Sequence, residues 1–477
     1  MLLNVYLLLA LSYVTCTYAV TLNWAATWVS ANPDGKFVRP VIGINGQFPP
    51  PAIQATVGEK VTLTLTNQLG NETTGMHFHG LFQNGTSPSD GPTGTTQCPL
   101  GPGESVTYSF TVQQPGTYWY HSHNRGQYPD GFRGPLLITD PDNPYANQID
   151  GELVLTVSDW YHKQVPELIG PFLSVTENPD GAEPFPDGAI LNDNATTSFK
   201  LTPGKTYMTR IINMSTFSSF LVKFDQHQMT IIEVDGVYTV ESQPTDLVYL
   251  TAGQRMSVLI TAKQSTNRNY AFIGAMDPTM FDCYPDCTTP LNATGYLVYN
   301  TYKPLPAEPP TFPSYSSGFI DDFTLVPYDH KPLLTGVTHQ ITLNVESGVY
   351  FNQNRFAINN NTFIEPLVPS LYSALSTGSE ATNPLIYGQY ANAFVLNHMD
   401  VVEVVVNNYD EGGHPIHMHG HNFQIVQRSP SGAAPYNNHL SNPPAFPIRR
   451  DVVKVNGLGY LVYRFVADNP GEAGVAV

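Results

Sequence analysis

Seven of the fourteen histidines fall into three tight groups: His77 and His79, His121 and His123, and His414, His417 and His419. In an extended strand, residues two apart point to the same side, so each His-x-His pair offers two imidazoles to one space. Imidazole is a ligand for zinc, copper, iron and nickel, and is poorly suited to calcium or magnesium. One such pair has a simpler reading, as core or surface histidines with local hydrogen bonds. Three groups, two of them in repeat-related positions, predict joint metal binding. The expectation is that the seven rings, drawn from opposite ends of the chain, converge on one pocket.

The elements that must carry these residues read as strands. Lys60 to Thr66, Ser105 to Val112, Arg255 to Thr261 and Val401 to Asn407 alternate apolar and polar residues with the period of a half-buried strand. Turn signals at Pro102-Gly103, Pro115-Gly116, Pro203-Gly204 and Pro470-Gly471 punctuate them. With 41 Pro and 38 Gly and only 13% charged residues, the chain reads as all-β sandwiches or barrels. Asp140-Pro-Asp-Asn-Pro144 closes a first unit, and the Pro-rich stretch from Pro304 to Pro313 opens a third. The expected organisation is a leader over 1–19, then units over 20–143, 144–303 and 304–477. The first and third units resemble each other. His77-Phe-His79-Gly80 matches His417-Met-His419-Gly420, and Phe110 to Pro115-Gly116 matches Phe465 to Pro470-Gly471.

Twenty-one basic against 39 acidic residues give a net charge of −18, which argues against a nucleic-acid partner. The apolar run Leu7 to Leu11, followed by Thr17-Tyr18-Ala19, predicts a secretory signal, with a membrane anchor as the alternative. The span is too short to cross a bilayer comfortably. Sequons at Asn71, Asn84, Asn194, Asn213, Asn292 and Asn360 fit the same route to a secreted, extracellular glycoprotein. Cys283 and Cys287 bracket a short turn and are placed to pair with each other, which leaves Cys98 without a partner once Cys16 is cleaved away.

Taken together, His77-Phe-His-Gly80, Trp119-Tyr-His-Ser-His123 and His414-Pro-Ile-His-Met-His-Gly420 resemble three of the four copper signatures of the multicopper oxidases. The resemblance runs from about Val20 to the last residue. It implies three consecutive cupredoxin-like Greek-key β-sandwich domains. It implies that His77 and His417 hold a type 2 copper, and that His79, His121, His123 and His419 serve a type 3 pair between the first and third domains. His414 is implied as a type 1 ligand, and Asp90 as an acid assisting proton delivery to oxygen. An Asp-Gly turn is the alternative reading of Asp90.

The fourth signature of that family, His-Cys-His, does not follow Pro470-Gly471, where the chain continues as Glu472-Ala-Gly-Val-Ala-Val477 with no cysteine after Cys287. The pattern reads as a short internal deletion followed by an early stop. A blue copper site needs two imidazoles and a thiolate, so the expected consequence is an incomplete type 1 site, an incomplete third sandwich and poor oxidase activity.

Within the family the chain most resembles fungal cell-surface ferroxidases of iron uptake, on Glu183, Asp282 and Asp410. The resemblance implies that these carboxylates bind iron(II) near the type 1 imidazole, that Asp277 adds to an iron exit path, that oxygen is the electron acceptor and that an iron permease is a partner at the cell surface. No C-terminal membrane anchor accompanies these residues. The alternatives are a laccase-type oxidase taking a phenolic reductant, a copper-binding protein without turnover, and zinc in the histidine sites.

Overall fold

The computed structural model describes residues 19–281, 283, 286, 288–311, 317–471 and 474–476. Residues 1–18 of the expected leader, Asp282 and Cys287 fall outside that set, while Ala19, its expected last residue, begins the first strand. Alternation in the sequence becomes alternation in burial. Along the strand Lys60–Asn67, Val61, Leu63 and Leu65 are buried, while the threonines between them face the Ser105–Thr111 strand. There they form a hydroxyl ladder, Thr64 to Thr107 at 3.0 Å and Thr66 to Ser105 at 2.8 Å. Only two α-helices occur among the described residues, Val165–Leu173 and Ser370–Ser376.

The strands build three sandwiches in succession. The first sets a sheet ordered Arg39–Ile44, Ala19–Ala31, Lys60–Asn67, Ser105–Thr111 beside one ordered Ile53–Thr56, Arg133–Thr139, Gly116–His121, His77–His79. Its two sheets share one core around Leu63, Phe78, Tyr108, Tyr120 and Leu136. The second sandwich has six-stranded and five-stranded sheets, and the third six-stranded and three-stranded ones. The smallest sheet orders Val452–Val455, His414–Met418 and the two-residue strand Val475–Ala476. A single apolar core runs through the second and third sandwiches, from Leu155 and Phe272 to Val404 and Phe465. At about 1.5–3 kcal/mol for each large apolar side chain buried, these cores supply the main favourable term of folding.

The repeat read between the first and third units extends to the middle one. In each, a first strand pairs in parallel with a second, Ala19 with Lys60, Gly151 with Tyr207 and His339 with Val402. The second then pairs antiparallel with a third. The middle sandwich therefore shares the architecture while carrying none of the three histidine groups. Cys283 is disulfide-bonded, and Cys98 is free and exposed.

Candidate metal centre

Strand parity sets the first two groups. His77 and His79 flank Phe78, whose ring packs inward on Tyr108 and Phe110 at 5.4 and 4.9 Å. The two imidazoles therefore leave by the opposite face. Antiparallel pairing sets His77 opposite His121 and His79 opposite Trp119. Trp119, two residues before His121, shares its face and stacks on it at 4.2 Å. From the other end of the chain, the strand His414–Met418 brings His417 and, just past its end, His419. His419 lies 4.1 Å from His77, and His417 stacks on His79 at 3.8 Å. His123 closes the ring at 5.5 Å from His419 and 6.0 Å from His121.

Six of the seven histidines therefore meet in one pocket between the first and third sandwiches. The seventh does not. His414 lies three positions before His417 on one strand, which turns it to the opposite face, and its ring packs instead on Phe356 at 4.9 Å. The expectation of a single pocket for all seven is corrected on that point, and strand parity is the reason.

The nitrogens of the six rings are sorted by their outer partners. His77 Nδ1 lies 2.9 Å from the Asp90 carbonyl, His121 Nδ1 3.0 Å from that of Ser122, and His417 Nδ1 2.9 Å from that of Asp451. A ring that donates Nδ1–H outward presents a bare Nε2 inward. The Nε2 atoms of His77, His79 and His417 are all buried without a hydrogen-bond partner, and the outward Nδ1 of His77 and His417 leaves theirs facing the pocket. His79 Nδ1 and His121 Nε2 approach to 3.4 Å, the spacing of two ligand atoms around one ion. Ligand atoms of His77, His79 and His417 lie within 4.8 Å of one another, as do those of His77, Asp90 and His419. Unpartnered buried nitrogens are costly unless something occupies the space they face. An imidazole-rich donor set of this kind fits copper or zinc.

Charge reinforces that fit. Burial, and then the neighbouring imidazoles, hold His79, His121 and His417 well below the ordinary histidine range, with Arg255 adding to the effect at His79 and His417. His419 is lowered by burial and by His77, and His123 is pushed down to about 3 by burial and by His419 and His77. The lowering of these five favours the neutral ring, the form that binds a metal.

Asp90 sits at the wall of this pocket, buried, with Oδ2 2.9 Å from His419 Nδ1 and Oδ1 3.2 Å from His77 Nδ1. Burial alone would raise its carboxyl, but His77 and His419 hold it well below the usual range. Its carboxylate thus addresses two rings instead of folding back on its turn. Gly91 makes the turn possible: its φ is +93°, and a Cβ there would stand 1.7 Å from the Met76 carbonyl oxygen.

On the far face of the strand, Asp410 Oδ2 lies 2.9 Å from His414 Nε2. Asp410 also accepts from Ser347 Oγ at 2.7 Å and from the Gly412 amide at 3.0 Å. Its pKa falls to about 2, with the His414 bond the leading cause. Glu183 lies on the loop of Gly181, where an added Cβ would stand 3.6 Å from Asn354. Asn354 precedes by two residues the Phe356 ring that packs on His414. Asp282 lies outside the described residues. Asp277 is buried, accepting from Tyr249 Oη at 3.0 Å and from the Thr279 amide at 3.0 Å.

Three further residues lie at or beside the pocket, two of which escape a reading by spacing. Asp451 and Arg255 border the His79 and His417 rings, and nothing in a lone Arg or an Arg-Asp pair marks them in the sequence. His421 continues the alternation of His417 and His419, a signal that was there to use. It is buried against Phe465 at 5.1 Å with neither ring nitrogen hydrogen-bonded.

Residues 25–143, 151–301 and 363–473 each match a family model described as multicopper oxidase. The iron transport multicopper oxidase fetC of Epichloe festucae is 47% identical, over 95% of this chain and 73% of its own length. FET3 of Saccharomyces cerevisiae, also an iron transport multicopper oxidase, is 43% identical over 94% of this chain and 71% of its own. Among solved structures, Fet3p, a multicopper oxidase that functions in iron import, superposes with a TM-score of 0.92 at 40% identity, covering 96% of this chain and 87% of that one. A laccase from Botrytis aclada gives 0.81 at 30% identity, covering 95% and 84%.

Proposed function

We propose, from the premise that this chain belongs to the multicopper oxidase family and is a copper oxidoreductase built of three cupredoxin-like sandwiches, that its reductant is iron(II). One observation carries the reading: Asp410 is bonded to His414 Nε2 at 2.9 Å on the face of the strand that looks away from the six-ring pocket. A carboxylate at that place is a hard donor for iron and favours iron(III) by charge. The oxygen of Asp410 that holds the ring links an iron donor directly to an imidazole, so an electron leaving iron has a short covalent and hydrogen-bonded route inward. Glu183, on the loop against Asn354, and Asp282 would complete the acidic site. Bound copper would supply the one-electron steps. Iron(II) gives up one electron at a time, and four electrons with four protons convert oxygen to two waters.

Within the pocket, His77 and His417 would hold one ion, and His79, His121, His123 and His419 a pair. Asp90, facing His77 and His419, would hand protons towards oxygen. The names of the relatives, iron transport multicopper oxidases and one that functions in iron import, support a role in iron uptake; the cell surface as its place and an iron permease as its partner belong to the proposal alone. No helix among the described residues is long and apolar enough to cross a membrane.

A second reading has its own observation. Pro470-Gly471 is followed directly by Glu472-Ala-Gly-Val475 and not by a His-Cys-His run, so this stretch supplies no thiolate for a blue site. In that reading the chain binds copper without turning over. Elemental analysis of the purified chain should find copper in preference to zinc in either case. In a chain continued past Gly471 by the family's His-Cys-His signature, iron(II) oxidation coupled to oxygen uptake should appear. Asp410→Ala should lower that rate at least about tenfold while a phenolic substrate is spared. Iron oxidation that survives replacement of Glu183, Asp282 and Asp410 together would refute iron as the substrate.

A further inference from the structure

We infer that Asp451 is a positioning residue for two of the metal's ring ligands, and that Arg255 of the middle sandwich holds it in place. The inference rests on reading the pocket as a copper site. Asp451 meets the pocket twice. Its main-chain carbonyl accepts from His417 Nδ1 at 2.9 Å, which turns His417 Nε2 inward. Its carboxylate Oδ1 lies 3.4 Å from His79 Nε2, close enough to face that nitrogen without hydrogen-bonding it. With that nitrogen facing outward, His79 presents Nδ1 towards His121, the reverse of the choice made by His77, His121 and His417. Ligating histidines are fixed in ring orientation and tautomer by such outer acceptors. One aspartate here meets two rings in opposite senses, His417 by a hydrogen bond and His79 by the approach of its carboxylate.

The carboxylate is itself held. Arg255 Nη1 and Nη2 each donate to it at 2.6 Å, a bidentate pair with both partners buried. Arg255 is fixed in turn by Nε donating to the Thr117 carbonyl of the first sandwich at 3.0 Å, and its own amide donates to Asp235 at 2.8 Å. The neighbouring Gly253 brings the same strand under the pocket. Its φ is +80°, and a Cβ there would stand 3.2 Å from His79 Cε1. Gln254 Nε2 donates to the Val452 carbonyl at 3.0 Å, one residue beyond Asp451. The middle sandwich, which lends no histidine, therefore supplies the wall and the clamp against which two rings from the other sandwiches are set.

A buried ion pair can also be no more than structural, and the test must separate the two roles. The probe is copper(II), with affinity measured by chelator competition and the bound ion recorded by electron paramagnetic resonance. The parent chain is compared with the double variant Arg255→Met/Asp451→Leu, which removes both charges together. The double variant should fold, with a metal-free melting temperature within about 5 °C of the parent. It should bind copper about 10–100-fold more weakly and with altered hyperfine splitting. A folded double variant with parental affinity and spectrum overturns the inference. Should it not fold, Asp451→Asn decides the matter, because it keeps the shape and an oxygen for His79 but weakens the grip of Arg255. About a tenfold loss of affinity with a shifted spectrum supports the inference, and parental values overturn it. A parent chain that takes up no copper is a separate failure, which removes the pocket reading and this inference with it.

Discussion

The strand His414–Met418 presents two unlike surroundings on its two faces. On the inner face His417 stacks on His79 at 3.8 Å, is anchored by a main-chain carbonyl and stays neutral within a cage of rings. On the outer face His414 meets one carboxylate, Asp410, and one aromatic ring, Phe356. Backbone anchors cannot adjust without moving a strand, whereas a side-chain carboxylate on a loop can. On the proposed reading, the inner face would hold ions that stay, while Asp410 on the outer one would meet a substrate that comes and goes.

Replacing an inner ring should have the largest effect. His417→Ala should weaken copper binding by at least about 100-fold in a chelator competition, since both a donor and its anchored orientation are lost. A variant that keeps parental affinity would break the distinction between the faces. The two faces should also lose stability in different pH windows. His79, His121, His123, His417 and His419 have lowered pKa values in the folded chain, so below about 6.5 the unfolded chain takes up protons that the folded one refuses. Stability from that face is therefore present above that pH, and is lost as the pH falls towards the value of about 3 held by His123. Asp410, lowered to about 2, contributes stability that is present above the ordinary aspartate range and is lost only below it. Melting temperatures of the metal-free chain should accordingly drop in two stages on acidification, and His121→Phe should shrink the first stage alone. A single transition confined below pH about 4 would contradict the assignment. The smallest effect belongs to His414→Ala, which should leave copper in the pocket within about twofold of the parent.

Much of this was legible because it depends on period two. The pairs His77/His79 and His121/His123 reach one space through the parity of extended strands, and the His417-Met-His419 repeat tied the far end of the chain to the near one. The same rule, applied to the three-residue step from His414 to His417, also separates those two rings. That step was read as part of one cluster, and the strand direction that separates it came only with the fold. Asp451, Arg255 and Gly253 were out of reach for a different reason. Their role comes from a junction of three sandwiches, with Arg255 and Asp451 separated by 196 positions, and no local pattern encodes a contact of that range. The Asp-Gly pair at 90–91 was open to two readings in the sequence, and the direction of its carboxylate, towards His77 and His419, came only with the fold.

The apolar interior is divided unevenly, with one continuous core under the second and third sandwiches and a separate one under the first. The pocket does not respect that division, because its rings come from the first and third sandwiches. An ion seated there would add a tie between the first sandwich and the third, beside the packing of Trp119 on Ile212 and Met214 and the Arg133–Asp193 pair that join the first to the second. Metal loading would then feed into the cohesion of the whole chain, and starvation for the ion would weaken that seam.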